Sequence, residues 1–178
     1  HLEALSLMLQ QNDVAGARGY LTSISKTIQM NSAILNTHNP LLDALLSKKY
    51  EEAARKGVMM YFDLSDLKDI PLDRTHLVIV VSNLLNNAIE AAAQADPPEV
   101  YVRMRKSEDE VVLSVRNRVK KELNLVDGQL PRISQKGAGH GFGLWNVQDV
   151  LKKYGGEYTI SCRGCWFRFT CTIPLRKL

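Results

Sequence analysis

Residues 82–91, with the sequence SNLLNNAIEA, form the most informative segment of this chain. Asn83, Asn87 and Glu90 are spaced by four and three residues, so in a helix they share one face, which points largely away from the leucines. Asparagine disfavours helix interiors, yet three of them occur within five positions. Because an amide oxygen suits a Mg²⁺ ion that keeps several waters and bridges nucleotide phosphates, this face predicts such a site. The alternative is a polar, solvated face.

A glycine-rich segment follows some fifty residues later. Residues 136–144, KGAGHGFGL, place a glycine at every second position directly before a predicted helix. Backbone N–H groups of such a loop, together with the positive end of the helix dipole, favour phosphate binding. No Walker Gly-Lys-Ser/Thr follows, and neither the strand nor the acidic residue of a Rossmann fingerprint is in place.

The residues between the two motifs are basic. Residues 116–136, which otherwise resemble a loop, contain six positively charged side chains and only two negatively charged ones, Glu122 and Asp127. An excess of four positive charges next to a phosphate cradle indicates an anionic ligand, and a solvated basic loop is the alternative. The six cations are Arg116, Arg118, Lys120, Lys121, Arg132 and Lys136.

Together these motifs resemble the N box and the second glycine box of the GHKL superfamily of ATP-binding domains. Residues 39–57 and a looser match over residues 9–21 make bacterial sensor histidine kinases of the peptide-quorum-sensing type the most similar group. The resemblance implies a Bergerat fold, Mg²⁺ held by Asn87, and an ATP-dependent protein-histidine kinase whose phosphoryl group passes to a response regulator. It implies ATP contacts from Asn83, Asn87, Asn117, Lys136, Gly139, His140, Gly141, Gly143 and Leu144, with no catalytic residue assigned.

The sequence departs from that family in two places. The first glycine box should follow Val115, but residues 116–120 are RNRVK, without a glycine, so Asn117 takes the place of the adenine-recognising aspartate. The phosphoacceptor histidine is expected a few residues before His1, with His1 itself, as the acceptor or as a tag remnant, as the alternative. These departures leave an alternative open: a non-catalytic or phosphotransfer module with a degenerate ATP-binding domain. A gyrase-type hydrolase is disfavoured, because Asn83 stands where those enzymes have a catalytic glutamate.

The order of the predicted elements defines the fold class. After a helical hairpin over residues 1–37, the pattern over 38–178 is helix, strand, helix, two strands, loop, helix, two strands. This order predicts an α+β, two-layer sandwich with a mixed sheet and its helices on one face. Apolar seams in the hairpin predict a homodimer through a four-helix bundle, with packing on the same chain as the alternative.

Composition excludes several other classes. The 178 residues carry 23 Lys plus Arg and 19 Asp plus Glu, and a net charge of +4 does not indicate nucleic-acid binding. No apolar run reaches the roughly 20 residues that span a bilayer, so we expect a cytoplasmic domain whose membrane attachment, if any, precedes His1. Cys162 and Cys165 have C-x-x-C spacing but lack two further zinc ligands, and Arg163-Gly164 predicts a hairpin turn between them.

Overall fold

The computed structural model describes residues 13, 14, 16, 35–125 and 143–175. The chain divides into two units, His1–Leu35 and Asn36–Leu178. The helical hairpin expected over residues 1–37, with its dimerisation seams, falls almost wholly outside the described residues and stays a prediction. The second unit contains every element discussed below.

Three helices and five strands make up the described part of that unit. The helices are α1 (Pro40–Arg55), α2 (Arg74–Ala92) and α3 (Gly143–Lys153). The strands are β1 (Met59–Leu64), β2 (Glu99–Lys106), β3 (Glu110–Arg118), β4 (Glu157–Arg163) and β5 (Trp166–Pro174). Their order in the chain confirms the predicted α+β fold.

The strands form one mixed sheet in the order β1-β2-β3-β5-β4. The β1–β2 pair is parallel and needs a crossover, which the segment containing α2 supplies. The other three pairs are antiparallel. Alternate strand residues are buried under the helices, which therefore cover one face, as expected: Met60, Val100, Val102, Met104, Val111, Leu113, Val115, Phe169, Cys171 and Ile173.

Local sequence signals explain where the helices begin. The Asn39 side chain caps α1 by accepting a hydrogen bond from the Leu42 backbone N–H at 3.1 Å, and Pro40 occupies the first turn. The helix therefore starts at the proline, two residues before the first predicted apolar position. Asp73 caps α2 in the same way, accepting from His76 N–H at 2.8 Å.

Two sequence-based assignments need correction. The C-terminal hairpin turns at Gly164-Cys165, one residue later than predicted, because Arg163 pairs with Trp166. Gly164 and Cys165 both have positive φ, 56° and 59°, as the tight turns that suit twisted strands require. Arg116 and Arg118 belong to β3 rather than to the basic loop, since the alternating pattern of β3 continues through Asn117.

Candidate functional site

The predicted asparagine face of α2 lies beside the first residue of α3. Asn83 donates a hydrogen bond from Nδ2 to the Ile79 carbonyl at 2.9 Å. A Cβ atom added to Gly143 would lie 3.0 Å from Asn83 Oδ1 and 3.5 Å from Asn87 Nδ2. A larger residue would have to push the Asn83 side chain away, so glycine favours this close approach. The N-box residues and the last glycine of the second motif therefore meet in space.

An apolar cavity of about 140 Å³ opens next to this contact. Two amides, from Asn87 and Asn117, are its only polar side chains in the described part of the chain. The combination of apolar walls and two amides suits a flat heteroaromatic base with hydrogen-bonding edges. The apolar lining residues are Leu84, Ala88, Ala91, Val115, Val119, Leu123, Leu144, Phe167 and Phe169.

Asn117 lies on β3 at the floor of this cavity and is only 2% exposed. Its Nδ2 donates to the Arg118 carbonyl at 2.8 Å. With the donor engaged, Oδ1 remains as an acceptor, as the adenine amino group would require. Leu144 also lines the cavity. The structure thus brings Asn87, Asn117 and Leu144 to one cavity, with Asn83 and Gly143 at its edge.

Four predicted phosphate contacts, Lys136, Gly139, His140 and Gly141, fall within residues 126–142, outside the described residues. Of the basic segment, Lys120 and Lys121 are described and exposed. Their roles stay predictions.

Lys49 lies in the segment 39–57 that carries the family resemblance, but no role at the site is predicted for it from the sequence. Although it is charged, it is only 8% exposed, and its Nζ donates to Glu52 Oε2 at 2.6 Å and to Asn86 Oδ1 at 2.8 Å. The hydrogen bond from Lys49 lowers the pKa of Glu52. Lys49 thereby ties α1 to α2 one residue before Asn87. Its position in the apolar register of α1, after Leu42 and Leu46, is the signal that could have revealed it.

A second polar cluster joins the N-terminal end of α2 to the C-terminal end of α3. The Tyr154 hydroxyl lies 2.9 Å from His76 Nδ1 and donates to Asp73 Oδ2 at 3.0 Å. His76 Nδ1 lies 2.5 Å from the same carboxylate oxygen. The backbone hydrogen bond from His76 is the main cause that lowers the pKa of Asp73. This cluster therefore fixes α3 against α2 far from Asn87 along the helix.

The side chains around the cavity suit a Mg²⁺ ion that is shared with a substrate better than a metal ion that is held by protein ligands alone. Among residues 35–125 and 143–175, no group of three or more His, Cys, Asp or Glu side chains could hold a metal ion. Asn87 offers one hard, neutral ligand beside the cavity, which suits an ion whose remaining ligands are waters and substrate phosphates.

In the same described part, no helix is long and apolar enough to cross a membrane.

Comparison with known proteins identifies the family of the chain. A family model described as a GHKL domain matches residues 72–174, more than half of the chain. The chain therefore belongs to the GHKL family, and more particularly to the ATP-binding domains of sensor histidine kinases.

Two curated relatives illustrate the second statement. The sensor protein CitS of Bacillus subtilis (strain 168) is 30% identical over 150 residues, which cover 80% of this chain and 27% of that protein. Sensor histidine kinase DpiB of Escherichia coli (strain K12) is 30% identical over 145 residues, covering 75% and 26%. The chain spans about a quarter of the length of these relatives. They do not distinguish the peptide-quorum-sensing subgroup, which stays a prediction.

Solved structures share the fold. The catalytic domain of histidine kinase ThkA has a TM-score of 0.60 at 24% identity, covering 75% of this chain and 91% of that one. Full-length ShkA, solved in complex with AMPPNP, has a TM-score of 0.62 at 20% identity and covers 76% of this chain and 29% of that one. At these identities the likeness confirms the two-layer fold.

Proposed function

We propose that this chain is the kinase domain of a two-component sensor histidine kinase. It binds Mg-ATP, transfers the γ-phosphoryl group to a histidine, and passes it from there to a response regulator. The contact of Gly143 with Asn83 and Asn87, at the edge of a cavity lined by two amides, is the observation that supports this function most. It joins the predicted metal ligand, the phosphate-binding helix start and the base pocket in one place.

The proposal assigns a role to the candidate site residues. The adenine ring occupies the apolar cavity, and the Asn117 Oδ1 accepts a hydrogen bond from its amino group. Asn87 holds Mg²⁺, and Asn83 keeps the start of α3 beside it. Bound Mg²⁺ neutralises charge on the transferring phosphates. The amides of Gly139, His140 and Gly141, with Lys136, complete the phosphate contacts.

No catalytic carboxylate is needed in this reaction. The attacking group is an imidazole nitrogen of the acceptor histidine, which forms a bond to the γ-phosphorus while ADP leaves. Phosphoryl transfer of this kind depends on positioning and charge neutralisation. The amide-rich site therefore suits the kinase reaction better than hydrolysis, which requires a general base to activate water.

Calorimetric titration with the ATP analogue AMPPNP, with and without Mg²⁺, tests the proposal. We expect the wild-type chain to bind, and Asn87→Ala to lower the Mg²⁺-dependent affinity by about tenfold or more. Gln94→Ala, which removes an exposed amide beyond the end of α2, is the matched control and should bind normally. Intact Mg²⁺-dependent binding in Asn87→Ala would remove the metal assignment.

The same titration separates the alternative function. The replacement of the first glycine box by residues 116–120 favours a non-catalytic or phosphotransfer module. Absence of AMPPNP binding by the folded wild-type chain would support that module and reject the kinase. Phosphate release from ATP without any acceptor, abolished by Asn83→Ala, would instead support a hydrolase.

The proposal extends to assembly and location. We propose a homodimer through the hairpin of residues 1–37, with the response regulator docking at the same bundle, on the cytoplasmic side of a membrane receptor. Sedimentation equilibrium should show a reversible dimer that Leu5→Glu and Leu9→Glu together weaken. A wild-type chain that stays monomeric at high concentration would contradict this arrangement.

A further inference from the structure

The sheet face opposite the helices carries a concentration of arginines that the ATP site does not use. We call it the open sheet face and define it by the six arginines that the strand register places on it. Four carboxylates share the face, Asp63, Glu99, Glu110 and Glu157, so six positive and four negative charges leave an excess of two. The arginines are Arg103, Arg105, Arg116, Arg118, Arg163 and Arg168.

These charges are poorly neutralised within the protein. Arg103 and Arg105 share one carboxylate, that of Asp63. Arg118 has only Glu99, with 3.9 Å between its Nε and the carboxylate oxygen, and this buried Nε has no hydrogen-bond partner in the described part of the chain. Guanidinium donors are therefore available on this face.

Arg116, Arg163 and Arg168 are less neutralised still. Within residues 35–125 and 143–175, none of the three has a carboxylate within 4.0 Å. Arg163 and Arg168 are also exposed. The guanidiniums of Arg163 and Arg168 are thus open to an external acid, and that of the half-buried Arg116 has no carboxylate partner among the described residues.

Stacking holds two of the arginines in place. The Arg116 guanidinium lies 4.6 Å from the Tyr101 ring centre and 4.3 Å from that of Trp166, and Arg118 lies 4.2 Å from Trp166. Tyr61 stacks on Tyr101 at 4.6 Å. A stacked guanidinium keeps its in-plane N–H groups available while losing little rotamer freedom on binding. The aromatic rings thus preorganise a set of donor forks.

We propose that the open sheet face binds an acidic segment of a partner protein through these arginines. Planar guanidinium forks match carboxylates in bidentate geometry. Arg116 and Arg168 are register partners on neighbouring strands, whose backbones lie about 5 Å apart, so one acidic segment can engage both side chains. A single-stranded nucleic acid is disfavoured, because base stacking needs free aromatic faces and those of Tyr101 and Trp166 carry guanidiniums or another ring.

Fluorescence anisotropy with labelled decaglutamate, at low ionic strength and with saturating AMPPNP and Mg²⁺, tests this surface in the full chain. We expect Arg116→Gln together with Arg168→Gln to weaken binding by about tenfold. Lys120→Gln together with Lys121→Gln removes the same charge from exposed positions in the basic loop and should change binding by less than about twofold. Arg168→Gln alone, at an exposed position, gives a smaller loss and covers the case in which the double variant does not fold.

Three results would overturn the proposal. The first is that the wild-type chain does not bind decaglutamate. The second is an equal loss in the lysine control, which would indicate nonspecific charge attraction. The third is tighter binding of labelled decauridylate through the same two arginines, which would assign the face to nucleic acid instead.

Discussion

On the helix-covered face of the sheet, strand residues such as Val102, Leu113 and Phe169 are at most 3% exposed, whereas the open face carries arginines, tyrosines and a tryptophan. The strands are the same, and only the alternation of side chains differs. The covered face supports α2, which carries Asn83 and Asn87, and α3, which begins at Gly143. The open face has no helix on it within the described residues. One face therefore positions the proposed ATP site, and the other carries the proposed recognition surface.

Removing a large side chain from the covered face should give the largest effect. Phe169 is 1% exposed and stacks on Tyr158 with ring centres 5.4 Å apart. We expect Phe169→Ala to lower the free energy of unfolding by about 3–5 kcal/mol, because the cavity it leaves cannot be refilled. Urea denaturation followed by circular dichroism measures it.

Thr159→Ala, at an exposed position of β4, is the matched control. It should cost less than about 1 kcal/mol. Similar losses in both variants would show that the two faces do not differ as described.

The buried lysine should give the next largest effect. Lys49→Met keeps the length of the side chain but removes the hydrogen bonds to Glu52 and Asn86. We expect a loss of about 1–3 kcal/mol in the free energy of unfolding, because two hydrogen bonds from a charged donor are lost. AMPPNP affinity should fall as well, because α2 is released from α1 next to Asn87.

Lys48→Met, at the exposed neighbouring position, tests whether the effect is specific. Its stability and affinity should match those of the wild type. An equal effect of the two substitutions would show that the loss of a positive charge, and not the hydrogen bonds of Lys49, causes the change.

Filling the contact at Gly143 should weaken nucleotide binding with little change in the fold. A Cβ at this position would already lie 3.0 Å from Asn83 Oδ1, and valine adds two more carbons. We expect Gly143→Val to lower AMPPNP affinity by about tenfold, and Gly143→Ala by less. Asn146→Val, exposed in the same helix, controls for the effect of valine on helix formation. Equal affinity in the Gly143 and Asn146 variants would place the nucleotide elsewhere.

Much of the covered face could be predicted from periodicity alone. The apolar spacing of α2 from Leu77 to Ala92 predicts its buried side, because helix period and burial coincide there. The family resemblance predicts that the glycine and asparagine motifs share one site, and the structure adds the direct contact of Gly143 with Asn83. The shift of the hairpin turn to Gly164-Cys165 was missed because strand register is set by pairing across the sheet, which local sequence does not encode.

Polar contacts between distant segments were missed for a similar reason. Lys49 with Asn86, and Asp73 with Tyr154, are separated by 37 and 81 residues. The aromatic stack on the open face likewise joins β1, β2, β3 and β5, so no single segment contains its pattern. Such contacts appear only once the topology is known.

The smallest expected effect concerns the cluster that joins α2 and α3 at the edge of the covered face. Asp73 accepts hydrogen bonds from His76 N–H and the Tyr154 hydroxyl, and its pKa is lowered from the usual 3.8. A lowered carboxyl pKa stabilises the fold above the unfolded value, and this contribution is lost as the pH falls through the folded value, below 3.8. We therefore expect the urea midpoint of the wild type to fall more steeply below about pH 5 than that of Asp73→Asn, with the two converging at lower pH. Asparagine still caps a helix, so this difference isolates the charge.

Asp149→Asn, at an exposed position inside α3, should keep the wild-type acid profile. Parallel profiles for the wild type and Asp73→Asn would show that the Asp73 charge does not help to hold the two helices together.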